Sequence, residues 1–164
     1  MLPKMTHEPS ILQLNSAGLT EKKISVIEQL AYRNKAFINV LQETHCTTAD
    51  KLVIHNFSLA ASVMNRKHTL ATFVHERLEW SLVDQSPEQS ETEWLCVDVA
   101  GYKIIVYKLP RSRLAPNAIP TSPHPSLYVD DFKCQHVNGE QQQNTPWRRE
   151  PGFLGNIQQP WTVV

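Results

Sequence analysis

Net charge is what this chain most plainly lacks: 16 Lys and Arg stand against 16 Asp and Glu among 164 residues. There is therefore no global pull toward nucleic acid, and a nuclease of this composition would need a local basic face. Cysteine is scarce and odd in number. Cys46, Cys96 and Cys134 have no framework spacing, which excludes a disulfide scaffold and leads us to expect reduced thiols in an intracellular protein. No stretch approaches the roughly 18 consecutive apolar residues of a membrane helix. Met1 to Ser10 holds no apolar run long enough for a secretory signal. No internal repeat is present. What remains, with 41% hydrophobic and 20% charged residues, is the composition of a single globular domain able to bury a core.

The chain opens with a short apolar run, Ile11 to Leu14, which reads as a strand ended by Asn15-Ser16-Ala17-Gly18. Thr20 suits a helix N-cap, with Glu21 in the first turn. Ile24, Ile27, Leu30 and Ala31 then recur at helical spacing to about Asn34. Ala36 to Leu41 is apolar and β-branched, a second strand ending at Gln42. Strand, helix, strand in about thirty residues predicts a βαβ unit.

Beyond it the helical period vanishes. Lys51–Val63, His68–Val74, Leu78–Val83, Glu93–Val99 and Tyr102–Tyr107 read as strands, and Ala100-Gly101 as the tight turn of a hairpin. Ser86 to Thr92 reads as a solvated loop. The proline-rich stretch Leu109 to Pro125 is neither central strand nor helix interior. Ser126 to Val129 is a last short strand before Asp130-Asp131. Residues 138–164 follow neither period. The expected organisation is residues 1–10 disordered, 11–137 one partial domain, and 138–164 an irregular tail.

Candidate chemistry gathers where strands end. Asn15 follows the first strand, Glu43 the second, Tyr107 closes a later one and Asp131 follows the last. Neighbouring strands would bring these ends to one crevice, the usual ligand position in α/β sheets. Carboxylates with an amide suit a hard cation such as Mg²⁺, which takes oxygen ligands and keeps several waters. On spacing alone, solvated loop residues or helix caps explain the same residues. Cys134, His136, His45 and Cys46 read as a zinc set fail on spacing, which matches no known ligand pair. Trp80 and Trp94 read as sheet-face packing, and Arg111 and Arg113 as solvated loop residues.

Four segments are more specific. Leu14-Asn15-Ser16-Ala17-Gly18-Leu19 resembles the opening Asn-x-x-Gly-Leu of endonuclease/exonuclease/phosphatase domains. Leu41-Gln42-Glu43-Thr44-His45 resembles their Leu-Gln-Glu-Thr metal-ligand motif, at the right separation and with a helix between. Val106-Tyr107-Lys108-Leu109-Pro110 resembles the Val-Tyr-x-x-Pro segment, and Tyr128 to Lys133 the Gly-Asp-Phe-Asn segment. His68 to Val74, Glu93 to Val99 and Cys134 to Val137 look like the endonuclease half of jockey-like non-LTR retrotransposon endonuclease–reverse transcriptases. The resemblance spans roughly residues 10 to 140.

The resemblance implies roles. Asn15 would organise the metal and phosphate site, Glu43 would be the principal Mg²⁺ ligand (Mn²⁺ in its place), Tyr107 would bring its hydroxyl to the scissile phosphate, and Asp131 would position or deprotonate the attacking water. The family's phosphate-binding Asn is replaced by Lys133, a longer point charge and a doubtful phosphate contact. Asp130 stands where the family has Gly, and Thr69 stands for the Gly of the His-Gly-Leu-Ala strand. No counterpart of the family's terminal Ser-Asp-His-like motif is found. A one-base shift of permitted codons for Pro151–Val164 reads Leu-Ala-Ser-Trp-Ala, like the helix the family carries here, so the tail is expected to be out of frame.

The implied fold is α+β, a partial four-layer α/β/β/α sandwich with an inner sheet face left uncovered. At about 25 cal/mol per Å² of apolar surface, that omission predicts marginal folding or dependence on a partner. The implied activity is Mg²⁺-dependent cleavage of DNA, halted in this chain by the absent motifs. The alternative is a non-catalytic remnant or binding module. DNA, the missing half-domain and a reverse transcriptase portion are the expected partners, with no membrane, in a nuclear setting if the protein works.

Overall fold

Thr20 stands at the start of the helix in extended conformation, and its side chain accepts from the Lys23 amide at 3.3 Å. The helix α1 (Glu21–Arg33) follows the first strand β1 (Ser10–Asn15) and leads to β2 (Ala36–Gln42). In this computed structural model, residues 10–64, 69–87, 90, 92–108, 121–123, 125–129 and 162–163 are described. The helix stops at Asn34, whose amide and side-chain nitrogen both donate to the Leu30 carbonyl. Ser10 Oγ donates to the Asn34 carbonyl at 2.7 Å, tying the helix end to the start of β1.

The remaining strands are β3 (Phe57–Met64), β4 (Thr69–His75), β5 (Trp80–Gln85), β6 (Glu93–Val99), β7 (Tyr102–Lys108), β8 (Ser126–Val129) and β9 (Thr162–Val163). They form two mixed sheets. The first runs β3-β4-β2-β1-β9, with β1 parallel to β2 and β9 and with β4 antiparallel to β2 and β3; the second runs β5-β6-β7-β8, with only β7 and β8 parallel.

Alternation of side chains along each strand divides the core in two. Ile11, Ile38, Val40, Leu70 and Val74 of the first sheet meet Leu95, Val97, Val99, Ile104 and Val106 of the second. On the other face of the first sheet, Leu12, Leu41, Ala71 and Phe73 pack under Ile27 and Ala31 of α1, with Cys46, Leu52 and Ile54 closing the side. A sheet covered on both faces reads as continuous apolar sequence, which is how β2 and β4 read.

Several sequence expectations change here. The inner face expected to lack a partner is covered, because the chain supplies both sheets of a sandwich. Among the described residues helix lies on one outer side only. Lys51–Val63 is not one strand: Ala49–Lys51 is a 3-10 turn, Leu52 and Ile54 plug the helix-side core, and Asn56, at φ 65°, turns the chain into β3. Nor is Ser86–Thr92 wholly solvated, since Ser86 and Thr92 are buried. Within the tail read as irregular, Thr162 and Val163 pair with Ser10 and Ile11.

Candidate functional site

The two strand ends that carry the first two motifs lie side by side. Asn15 is the register partner of Gln42, so Glu43 comes one residue beyond Asn15's neighbour. The chain after β1 stays beside the chain after β2. Ser16 N–H donates to the Gln42 carbonyl at 2.8 Å, Gly18 N–H to Glu43 at 2.7 Å and Leu19 N–H to Thr44 at 2.7 Å. Ser16 Oγ, buried, donates to the Gln42 carbonyl at 3.0 Å and reaches the Glu43 carbonyl at 3.2 Å. Asn15 is exposed, and its Oδ1 accepts from the Ala17 amide at 3.1 Å, an Asx turn that starts the loop.

Backbone strain concentrates at the same place. Ala17, Gly18, Glu43 and His45 all have positive φ, at 42°, 86°, 53° and 54°. A glutamate in the left-handed region costs on the order of 1–2 kcal/mol. Here the hydrogen bonds to the Glu43 carbonyl hold it there, with its side chain half-buried.

A hydrogen bond ties the second sheet to this end. Gln42, buried between the sheets, donates from Nε2 to the Tyr107 carbonyl at 3.0 Å. The carboxyl ends of β1, β2 and β7 and the amino ends of β4 and β6 therefore share one end of the sandwich. This end is polar inside. Ser16, Gln42, Thr44 and Thr69 are buried on the first sheet's side, and Ser86, Thr92 and Glu93 on the second's. Elsewhere the buried polar residues described are Ser10, Asn39 and Thr72.

Of the residues expected to form the site, Asn15 and Glu43 are brought together. Tyr107 brings its carbonyl to the same end, but its ring follows the alternation the other way. Val106 points into the core between the sheets, so Tyr107 lies on the outer face of the second sheet, its ring 6.5 Å from that of Tyr128. Tyr128 Oη accepts from the Ser122 amide at 3.0 Å. Asp131 and Lys133 lie outside the described residues. The strand leading to them ends at Val129, paired with Val106, one residue before Tyr107.

Glu93 is the residue that reading for motifs passed over. It is buried and shares strand parity with Leu95, Val97 and Val99, which all face the first sheet. That parity was readable in the sequence: a carboxylate in phase with the apolar face of a strand needs a polar environment at its end. The buried polar end of the sandwich supplies one.

Asn15 and Glu43 offer an amide and a carboxylate oxygen, a donor set that fits a hard cation keeping most of its waters. Among the described residues, no group of three His, Cys, Asp or Glu stands close enough together to enclose a metal ion. Cys46 and Cys96 are buried free thiols, and burial pushes the Cys96 thiol up from its ordinary value.

No protein-family model and no curated protein matches the chain. Among solved structures, that of an AP endonuclease from Leishmania major is similar over 62% of this chain and 39% of its own, at 14% identity and a TM-score of 0.43. The chain thus spans well under half the length of that protein.

Proposed function

We propose that the polar end of the sandwich is part of a Mg²⁺-dependent phosphodiesterase site acting on DNA, of the endonuclease/exonuclease/phosphatase kind and derived from a jockey-like retrotransposon. The motif order and wording support the family. The observation that carries the chemistry is the meeting of Asn15 and Glu43, from separate segments, on adjoining strand ends with Glu43 held in a left-handed conformation.

Glu43 and Asn15 would hold the cation, Mg²⁺ or Mn²⁺ in its place. When bound, the ion supplies positive charge that stabilises the phosphoryl oxygens and the leaving oxyanion. Asp131 would orient or deprotonate the attacking water, and Lys133 would face a phosphate as a point charge. The 164 residues hold no counterpart of the family's Ser-Asp-His-like motif. In the family the His of that motif stabilises charge on the pentacovalent phosphate, and loss of one such group costs about 10²–10³-fold in rate. These residues by themselves are therefore expected to bind the cation and DNA with cleavage largely or wholly lost. A reverse transcriptase portion or the rest of the domain is the natural partner, and a DNA substrate implies work in the nucleus.

The placement of the Tyr107 ring on the outer face of the second sheet favours a second reading, a non-catalytic binding module on the same scaffold. Two measurements separate the readings. Mn²⁺ binding, followed by electron paramagnetic resonance, should be lost in Glu43→Gln. Nicking of supercoiled plasmid in Mg²⁺ should exceed that of the same variant. Metal binding that depends on Glu43 without nicking supports the module. Equal Mn²⁺ binding by wild type and Glu43→Gln rejects the site altogether.

A further inference from the structure

Lys23 breaks a local rule. It sits in the first turn of α1, where the helix dipole favours an anion, as Glu21 two residues earlier obeys. Although the residue is exposed, its ammonium is not left without protein partners. It turns back over the preceding loop and donates to the carbonyls of Ser16 at 2.6 Å, Ala17 at 3.0 Å and Gly18 at 2.8 Å. An ammonium has three N–H donors, so these three carbonyls use its whole capacity. Three successive carbonyl dipoles aimed at one point repel one another unless a cation stands there. The positive φ values of Ala17 and Gly18 are what make them converge.

That loop is the one that carries Asn15 past Glu43. Its inner edge is fixed by the hydrogen bonds of Ser16, Gly18 and Leu19 to residues 42–44, and its outer edge by Lys23. We infer that Lys23 is a positioning residue: its ammonium acts as a built-in cation that clamps the 16–18 loop and so sets Asn15 against Glu43. The inference rests on the metal-site reading above and adds to it a residue outside the ligand set.

The test turns on a difference of sign. If Lys23 acted only as a nearby positive charge, removing it would tighten binding of a divalent cation, because like charges repel. If it clamps the loop, removing it weakens binding, by about tenfold as for other residues that orient metal ligands. Mn²⁺ affinity is measured by electron paramagnetic resonance on wild type, Lys23→Met, Lys23→Arg, Lys22→Met and Glu43→Gln. Lys22→Met removes the same charge from the exposed neighbouring position.

The expected order is wild type and Lys22→Met together, with Lys23→Met and Lys23→Arg both weaker. Arginine keeps the charge but its planar fork cannot converge on three carbonyls. In Lys23→Ala, methylammonium should restore Mn²⁺ binding while tetramethylammonium, at equal ionic strength and with no N–H, should not. Circular dichroism accompanies each sample. If Lys23→Met and Lys23→Ala do not fold, Lys23→Arg decides, since it retains the charge and the stem. Tighter or unchanged binding in Lys23→Met, or wild-type binding in Lys23→Arg, overturns the inference while the metal-site reading stands. Unchanged binding in Glu43→Gln overturns the reading beneath it.

Discussion

The chain contains two Ala-Gly pairs in almost the same backbone conformation, and they do different things. Ala17 and Gly18 have φ of 42° and 86°; Ala100 and Gly101 have 52° and 86°. The second pair closes the β6–β7 hairpin, where two positive φ values match the twist of the flanking strands. Gly101 N–H donates to Asp98 Oδ1 at 2.9 Å within the turn, and Ala100 N–H reaches the Glu79 carbonyl, just before β5, at 3.2 Å. A Cβ on Gly101 would meet nothing within 4 Å. The first pair lies at the opposite, polar end: Gly18 N–H donates to the Glu43 carbonyl, both carbonyls of the pair are clamped by Lys23, and a Cβ on Gly18 would come within 3.5 Å of His45 Nδ1. The same dipeptide is a connector at one end and part of a candidate site at the other. What differs is the side chains each pair keeps company with, Lys23 and His45 at one and Asp98 at the other, which dihedrals do not report.

The two ends are joined by one core, and truncating it has the largest expected effect. Ile104 and Leu95 are fully buried in the layer between the sheets. Ile104→Ala is expected to cost about 2–5 kcal/mol, the usual range for a large aliphatic side chain truncated in a core. Because both sheets share that layer, urea unfolding should remain one transition, reported alike by far-ultraviolet circular dichroism and tryptophan fluorescence. Two separated transitions would mean that the ends belong to independent units. This expectation reverses the marginal folding inferred from an uncovered sheet, since the sheet is covered.

A gentler substitution sharpens the contrast. Gly18→Ala and Gly101→Ala each force a Cβ into the left-handed region, at about 1–2 kcal/mol apiece. The space around each glycine is adequate, so the two stability losses should be similar. Mn²⁺ affinity should fall in Gly18→Ala and stay at the wild-type value in Gly101→Ala. Equal affinities in the two variants would make the 17–18 loop as plain a connector as the hairpin.

How much of this was legible followed the range of the forces involved. The β1-α1-β2 unit was readable nearly to its boundaries, because Thr20 caps, Ile27 and Ala31 keep helical phase and Ala36 to Gln42 is uninterrupted. The hairpin was readable because Ala100-Gly101 permits few other turns. The juxtaposition of Asn15 and Glu43 followed from parallel strands joined by a crossover. The break at 55–56 was not readable: Leu52, Val53 and Ile54 have the composition of a strand, and only the helix-side core gives Leu52 and Ile54 another use. The facing of the two sheets was hidden for the same reason, since alternation says which residues share a face but not what that face meets. Glu93 and Lys23 did leave marks in the sequence. One was a carboxylate in apolar phase, the other a cation in a helix's first turn. Each breaks a local rule, and the surroundings of each in the fold, the 16–18 loop for Lys23 and the polar end of the sandwich for Glu93, lie outside its own element.

The smallest effect comes from a titrating group at the end away from the candidate site. His75, the last residue of β4, sits between Phe37 and Phe57, with ring centroids at 5.6 and 5.2 Å. Its Nδ1 accepts from the Arg77 amide at 3.2 Å, so a proton on Nδ1 would set one N–H against another. Partial burial holds the imidazole below its ordinary value, and the positive charge of Arg77 adds to the effect. A histidine whose pKa is lower when folded takes up its proton first in the unfolded chain. Stability is therefore complete above the ordinary imidazole value of about 6.5 and falls as pH drops below it toward the folded value. His75→Asn keeps an acceptor oxygen where Nδ1 stands and cannot titrate. Between pH 7.5 and 5.5 the wild-type melting temperature should fall further than that of His75→Asn, by about a degree or two, because the ring is only partly withdrawn from water. Parallel curves would remove His75 from the account. An excess fall that vanished in Glu43→Gln instead would move the pH response to the polar end, where carboxylates rather than imidazole would have to carry it.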